Sequence, residues 1–455
     1  MDCTRNLSRI WNRWSWAVGI ILSLILPATG HTAFASRFSL TVGEEYTDNI
    51  FFSKDKEHDF VTIITPTLTF LYAPAGQTAP IFTLNLSPSA HLYARNNDLN
   101  SFGDNQSANG AYSYHYSPRL NFHVSDTLQR LGKTREGGLD GGTNQLRSTP
   151  TSPPPLGASE PLPLSQNLKD FISRGDQITN HFSARGSFLY RPDVSFTGGY
   201  SNSYTYFIDA GGKDVFHTID FRGIYNWRQE HNLHAGYSLS IGKSRDGDSS
   251  LIHSFDFGDD YFSNYQIRLS PTLTVAASTG ISFNAGSDGP RIANNTNITV
   301  TKLWETATLT GGVRKGLTPS FGVSGISDTI SLFTNFNIKL TEKLAANAGV
   351  DYSMFDTEDV NFDTFRANMG LQYLITSWLS SGLAYSYRWI NSGAGASASD
   401  LVERGKITGN SAYVYVAAHF DIWPNFALAR AVTQPTPLIT TPFPMPATST
   451  VAPQP

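Results

Sequence analysis

Few stretches of this 455-residue chain bring together residue types that could do chemistry. His231 and His234 stand in the stretch "EHNLH", and carboxylates cluster in "DFGDD", which runs from Asp256 to Asp260. Histidines and carboxylates bind metals or move protons when the fold brings them together. A solvated turn and polar residues facing water explain these two stretches more simply. The acidic stretches "KDKEHD" and "DGDSS" match no defined calcium loop. We therefore predict no catalytic residues, no metal and no cofactor, and hence no enzyme.

Basic residues form the other candidate set, because they share one face of alternating stretches. Alternation at period two marks a β-strand with one apolar and one polar face. In "FHTIDFRGIYNWRQ", Ile219 and Phe221 face one way, and Asp220 and Arg222 face the other. By this parity, the basic residues on the polar face are Arg119, Arg185, Arg222, Arg228, Arg268, Arg314, Lys339, Arg366 and Arg388. The acids on the same face are fewer, namely Asp220, Asp256, Asp260 and Asp351.

The elements that must position these residues are hairpins. In "SLFTNFNIKLTEKLAANAGVDYSMF" (331–355), apolar residues alternate on both sides of the short turn "TEK". Similar hairpins recur along most of the chain, and their connectors alternate in length. Short connectors such as "SPR", "RPD" and "TSW" alternate with longer polar ones such as "SKDKEHD", "IDAGGKD" and "DTEDVN". Short turns at one end and long loops at the other are typical of an outer-membrane barrel.

The predicted fold is therefore all-β: a transmembrane, antiparallel, up-and-down β-barrel of about 18 strands, within a range of about 16 to 20. An open sheet in hydrocarbon would leave its edge amides and carbonyls unpaired, so the sheet must close. Apolar side chains would face lipid, and the polar face would line a water-filled lumen. Pro66 interrupts "FVTIITPTLTFLY" and predicts a bulge or a strand at an edge.

Composition and the two ends of the chain set the remaining boundaries. The chain is 40% hydrophobic, 13% aromatic and 15% charged, with a net charge of -4, which does not indicate nucleic-acid binding. Arginines, an apolar stretch and "AFAS" predict a signal peptide over 1–35 with cleavage near Ala35. The barrel is predicted over 36–420, with a Pro-rich loop insert over 132–177. A disordered Pro-rich tail is predicted over 421–455.

The last predicted strand, "NSAYVYVAAHF", alternates and ends on an aromatic residue. Its alternating members are Ala412, Val414, Val416, Ala418 and Phe420. This pattern resembles the closing-strand signal that barrel-assembly machinery recognises, although here a long segment follows it. An ordinary last strand that needs no such recognition is the alternative.

"FSLTVGEEYTDNIFFSKDKEHDFVTIITPTLTFLY" (38–72) resembles the opening of a group of uncharacterised Gram-negative outer-membrane barrels. These are the β-barrel porin 2 type and its relatives near exopolysaccharide and PEP-CTERM/exosortase loci. Their first strand carries a similar "Y-T/S-D-N-I-F" and their second a similar "D-F-…-P-x-L". The resemblance implies an outer-membrane barrel through which envelope polysaccharide or small solutes pass, and it carries over no catalytic residues.

The sequence thus predicts a passive pore in the outer membrane, in contact with lipid and lipopolysaccharide. An excess of arginine in the lumen would favour anions, unless acids across the wall pair with the arginines and leave no net field. Barrel-assembly machinery is the expected partner, together with polysaccharide-export components if the family resemblance extends to function. A structural barrel plugged by the 132–177 insert, a barrel enzyme and a soluble periplasmic β-protein are the alternatives.

Overall fold

A computed structural model describes residues 33–73, 81–132, 176–208, 211–228, 231–245, 249–262, 273–285, 290–319, 326–357, 361–392 and 405–423. Most of the predicted signal peptide, the predicted tail and nearly all of the Pro-rich insert lie outside these ranges. Arg268 lies outside them as well.

Eighteen strands make up almost all of the described chain. They are β1 (Ala33–Thr47), β2 (Asp59–Ala73), β3 (Phe82–Tyr93), β4 (Ser101–Ser117), β5 (Leu120–Leu131), β6 (Gln177–Arg191), β7 (Val194–Phe207), β8 (Lys213–Arg228), β9 (His231–Lys243), β10 (Ser249–Phe262), β11 (Leu273–Asn284), β12 (Arg291–Leu303), β13 (Ala307–Pro319), β14 (Ile326–Lys339), β15 (Leu344–Asp356), β16 (Asn361–Leu374), β17 (Leu379–Ser392) and β18 (Gly405–Trp423). The helical structure in the described residues is one 3₁₀ turn, Asn97–Leu99. In those residues no helix is long and apolar enough to cross a bilayer.

The sheet is closed. Every strand pairs antiparallel with its neighbours in sequence, and β1 also pairs with β18, from Ser36 opposite Trp423 to Thr47 opposite Ser411. The predicted barrel and its count of eighteen strands are confirmed. β1 begins at Ala33, before the predicted first residue of the mature chain, and β18 continues past Phe420 to Trp423.

The two ends of the barrel differ in their connectors. At one end, called here the turn end, the described connectors include the two-residue turn Pro118–Arg119 and the four-residue turn Leu340–Lys343. The start of β1 and the end of β18 lie at this end too, because consecutive strands run antiparallel and even-numbered strands such as β4 and β14 end here. The connectors between β1 and β2 and between β3 and β4 lie at the opposite end, called here the loop end.

The outer face of the wall is apolar and the inner face is polar. On β14, Leu332 on the outer face is 46% exposed, whereas Ser331 on the inner face is 3% exposed and its hydroxyl bonds to that of Ser353 at 2.6 Å. Aromatic side chains stand exposed near the turn end, among them Tyr116, Tyr190, Trp227, Trp304 and Trp378. Exposed apolar residues over the outside of a closed sheet are what a lipid environment requires.

The prediction for Pro66 is wrong, because β2 lies between β1 and β3 and continues past the proline without a change of register. Ile64 pairs with Ala90 and Leu68 with Leu86, so Pro66 stands opposite Pro88. Neither proline has an amide hydrogen, and the ladder is interrupted at their level. Hydroxyl groups connect the two strands there instead: Thr65 to Ser89 at 2.9 Å and Ser87 to Thr67 at 3.0 Å.

Candidate functional site: the inner wall and its inward strap

Two ion pairs on the inner face reach across an intervening strand. Arg185 on β6 lies 3.7 Å from Asp220 on β8, and Arg222 on β8 lies 3.0 Å from Asp256 on β10. The residue between Arg185 and Asp220 is Gly199 of β7, which pairs with both. Arg222 and Asp256 are likewise separated by a single residue, Gly236 of β9, which pairs with both. A row of alternating charges therefore follows the inner wall from β6 to β10.

The intervening glycines leave the space through which these pairs meet. A Cβ atom on Gly199 would lie 2.5 Å from an Asp220 carboxylate oxygen, and one on Gly236 would lie 2.5 Å from Asp256. Gly349 of β15 has the same role between two amides, Asn335 and Asn368. Glycine weakens a strand, so its use at these positions is explained by close approach of the side chains above it.

Replacing Gly236 with Ala should separate Arg222 from Asp256 and lower the free energy of unfolding by about 1 to 3 kcal/mol. Gly110→Ala is the matched control, because its Cβ would meet nothing closer than 3.9 Å. Urea unfolding of both variants in lipid vesicles provides the measurement. Equal stabilities for the two variants would contradict the proposed role of the glycine.

A second charged group lies on the inner face of β13 to β17. Asp351 pairs directly with Arg366, which pairs in turn with Arg388. Arg314 interacts with Asp351 and stacks over the ring of Phe333 at 4.5 Å. Arg314 and Arg366, like Arg185 and Arg222, lie beside acids or aromatic rings on the same wall, whereas Arg388 lies against the ring of Phe52 in the connector between β1 and β2.

The other predicted basic residues lie near the turn end. Arg119 is exposed in the turn between β4 and β5 and is not a wall residue, because alternation ends where the strand ends. Arg228 follows a register shift and stacks on Trp227 at 4.6 Å. Lys339 is the exposed last residue of β14.

The inner face also carries more acids than the sequence analysis placed there. Glu45, Asp59 and Asp214 alternate with outer-face residues and are all fully buried. Asp214 accepts a hydrogen bond from the backbone amide of Arg245 at 2.7 Å. The basic excess of the inner face is therefore smaller than the predicted one.

The structure brings a histidine and two aspartates together on β9 and β10, which the sequence analysis did not anticipate. His234 is 7% exposed, and its ring nitrogens lie 3.9 Å from Asp256 and 3.7 Å from Asp260. These distances are too long for hydrogen bonds, so no aspartate orients the ring as a catalytic base requires. His231 bonds instead to Asp259 on the outer face, at 2.5 Å. In the described residues no group of three or more His, Cys, Asp or Glu is arranged to hold a metal ion.

The connector between β1 and β2, residues 48–58, folds into the mouth of the barrel and is called the strap. The alternation of the sequence predicts a loop at "SKDKEHD", but β1 already ends at Thr47. Ile50 of the strap is fully buried in a cluster with the inner-face residues Val61, Tyr93 and Tyr413. Loops normally run over the protein surface, so a fully buried isoleucine shows that the strap packs against the inner wall.

Polar contacts attach the strap to β18 as well. The Asn49 side chain donates to the backbone oxygens of Thr408 at 2.9 Å and Ser53 at 2.6 Å, and accepts from the Ser53 amide at 2.9 Å. The Asp48 carboxylate accepts hydrogen bonds from the backbone amide of Asn410 at 2.6 Å and from the Lys56 ammonium at 2.8 Å. Burial of Asp48 acts to raise its pKa, but these hydrogen bonds outweigh it and lower the pKa below the ordinary value. Asp48 therefore stabilises the strap at neutral pH, and that contribution is lost as the pH falls through the lowered pKa.

Phe52 has a backbone conformation that its residue type rarely adopts, with φ of 47°. Its ring is 3% exposed and lies over Arg388, with the guanidinium carbon 4.3 Å from the ring centroid. Left-handed backbone costs about 1 to 2 kcal/mol for a residue with a Cβ. Burial of Ile50 and Phe52 stabilises the strap by roughly 1.5 to 3 kcal/mol each, which offsets that cost.

Asp59 ties the end of the strap to the loop between β3 and β4. Its carboxylate is fully buried and accepts from the amides of Phe60 at 2.8 Å, Arg95 at 3.0 Å and Asn96 at 3.0 Å. The Asn96 side chain donates a further hydrogen bond at 2.9 Å. One carboxylate thus fixes the start of β2 and the neighbouring loop together.

A closed sheet with an apolar exterior and a polar, charged interior defines a transmembrane β-barrel protein. No family model matches the chain, so the resemblance to the β-barrel porin 2 type stays a prediction. No match was found among curated proteins.

Solved barrels that resemble the chain include Pseudomonas aeruginosa OccK2 (OpdF) in complex with glucuronate. The TM-score is 0.45 at 10% identity, over 85% of this chain and 98% of that chain. Pseudomonas aeruginosa OpdL gives 0.44 at 11% identity, over 86% of this chain and 99% of that chain. Acinetobacter baumannii OccAB4 gives 0.42 at 11% identity, over 85% and 98%. The similarity is one of barrel architecture.

Proposed function

We propose that the protein is a passive pore of the outer membrane of a Gram-negative bacterium, through which small polar solutes diffuse. The observation that carries the proposal is the division of the closed wall into an apolar exterior and an interior of paired charges, amides and hydroxyls. A barrel of eighteen strands is wide enough to leave an aqueous channel. In this arrangement the exposed aromatic residues of the turn end lie at the periplasmic interface, and the loop end faces outward.

Purified protein in planar lipid bilayers tests the proposal. A pore gives steady, voltage-independent conductance steps after insertion. Folded protein that inserts and stays silent would favour a structural barrel closed by residues 132–177. Export of envelope polysaccharide, which the family resemblance implies, is a finer proposal, and export components are the partners that it would require. Barrel-assembly machinery is proposed as a partner in folding, whatever solute the barrel carries.

The selectivity of the pore should depend on the Arg222–Asp256 pair. The two charges cancel in the wild type, so Arg222→Ser leaves Asp256 alone and should shift the reversal potential in a salt gradient toward cation preference. Asp256→Asn should shift it toward anion preference. The double variant Arg222→Ser/Asp256→Asn is the control and should return to the wild-type value. Strong anion preference of the wild type that persists in Arg222→Ser would contradict a balanced lumen.

A further inference from the structure

The strap differs from an ordinary loop because its first half is buried against the barrel wall. Asn49 and Ile50 are fully buried and Phe52 nearly so, whereas Lys54, Asp55, Lys56 and Glu57 are exposed. The first half of the strap is thus packed on the wall and the second half faces solvent. The backbone amide of Ile50 donates to the backbone oxygen of Glu57 at 2.8 Å, and this hydrogen bond joins the two halves of the strap.

The packed half lies among residues of four neighbouring strands. Ile50 belongs to a cluster drawn from β2, β3, β17 and β18, and Tyr413 of that cluster lies over Gly43 of β1. Phe52 covers Arg388 of β17, and a Cβ on Gly409 of β18 would lie 3.1 Å from its ring. A lid that opens needs a hinge and few buried contacts. The strap has apolar anchors and backbone hydrogen bonds at its base instead.

We propose that the strap is a permanent constriction that sets the size limit of the pore at its loop end, and that Ile50 and Phe52 determine that limit. This inference rests on the proposed function, because a size limit has meaning only for a conducting barrel. The packed residues occupy cross-section that the eighteen-stranded wall would otherwise leave to water. Solutes then pass beside the exposed half of the strap, which carries positive and negative side chains.

A disulfide staple tests permanence. The chain has one cysteine, Cys3, in the predicted signal peptide, so Phe52→Cys/Gly409→Cys introduces an unambiguous pair. We expect the disulfide to form in the folded barrel and the oxidised protein to conduct as the wild type does. Phe52→Cys alone controls for loss of the Phe52 ring, and Gly409→Cys alone controls for loss of the glycine. Lower conductance in the oxidised protein than in the wild type would overturn the proposal, because it would show that the wild-type strap spends time open.

Release of the strap tests whether it bounds the pore. Ile50→Asp should detach it and raise single-channel conductance by about 1.5- to 2-fold, and let larger neutral sugars cross in vesicle swelling assays. Asn49→Ala, which removes three hydrogen bonds but no apolar anchor, gives a second variant if Ile50→Asp does not fold. Wild-type conductance and cut-off in both folded variants would overturn the size-limit role alone. Silence of the wild type and of every variant would refute the pore itself.

Discussion

Replacing Leu332 with Arg should prevent the barrel from assembling in a membrane. Leu332 lies near the middle of β14 on the outer face and is 46% exposed. An arginine on the lipid face at mid-depth costs about 2 to 4 kcal/mol. The measurement is the fraction of protein that refolds into lipid vesicles, seen as the compact band that shifts on heating in electrophoresis. We expect that band to be lost or strongly reduced.

Asn337→Arg on the same strand is the control. Asn337 lies on the inner face and is exposed, so its replacement should leave the folded fraction unchanged. If both variants refold equally well, the outer face does not meet lipid. If only Asn337→Arg fails, Asn337 faces lipid and Leu332 faces the lumen.

Replacing Asp59 with Ala should release the strap and the loop between β3 and β4 together. Four hydrogen bonds end on this buried carboxylate, and their donors would lose their acceptor in the apolar surroundings of Val61 and Tyr93. Hydrogen bonds to charged groups contribute about 1.5 to 3 kcal/mol each, so local opening should become at least tenfold more frequent. The rate of trypsin cleavage measures this opening, because Lys54, Lys56 and Arg95 lie in the two loops.

We expect cleavage at these sites to be about tenfold faster or more in Asp59→Ala than in wild type, with the barrel itself intact. Asp98→Ala removes an exposed aspartate from the same loop and should not change the rate. Unchanged cleavage in Asp59→Ala would show that the carboxylate does not hold the loops.

The wall could be predicted from sequence because its signal is local. Alternation alone places Leu332 outside and Ser331 inside, and it assigns Arg222 to the polar face. The partner of Arg222 could not be predicted in this way. Asp256 lies two strands away, and the pairing depends on the missing side chain at Gly236, whose effect appears only when three strands are in register.

The inward packing of the strap could not be predicted from sequence, for a different reason. "DNIFF" continues β1 without a break in composition, so Ile50 and Phe52 read as a strand end before the polar loop. Their inward turn depends on contacts with Tyr413 and Arg388, which are far away in sequence. Arg119 shows the reverse error. The alternation of the strand was extended into the turn after β4, where side chains no longer alternate between an inner and an outer face.

The facing prolines of β2 and β3 have a consequence for how the wall yields to mechanical load. On both sides of this level β2 and β3 are paired in register, but at Pro66 and Pro88 the hydroxyls of Thr65, Thr67, Ser87 and Ser89 make the connection. Pulling the barrel sideways should therefore start its rupture at this seam. An atomic-force trace would record the separation of β2 from β3 as the first rupture event, with β1 still paired to both β2 and β18.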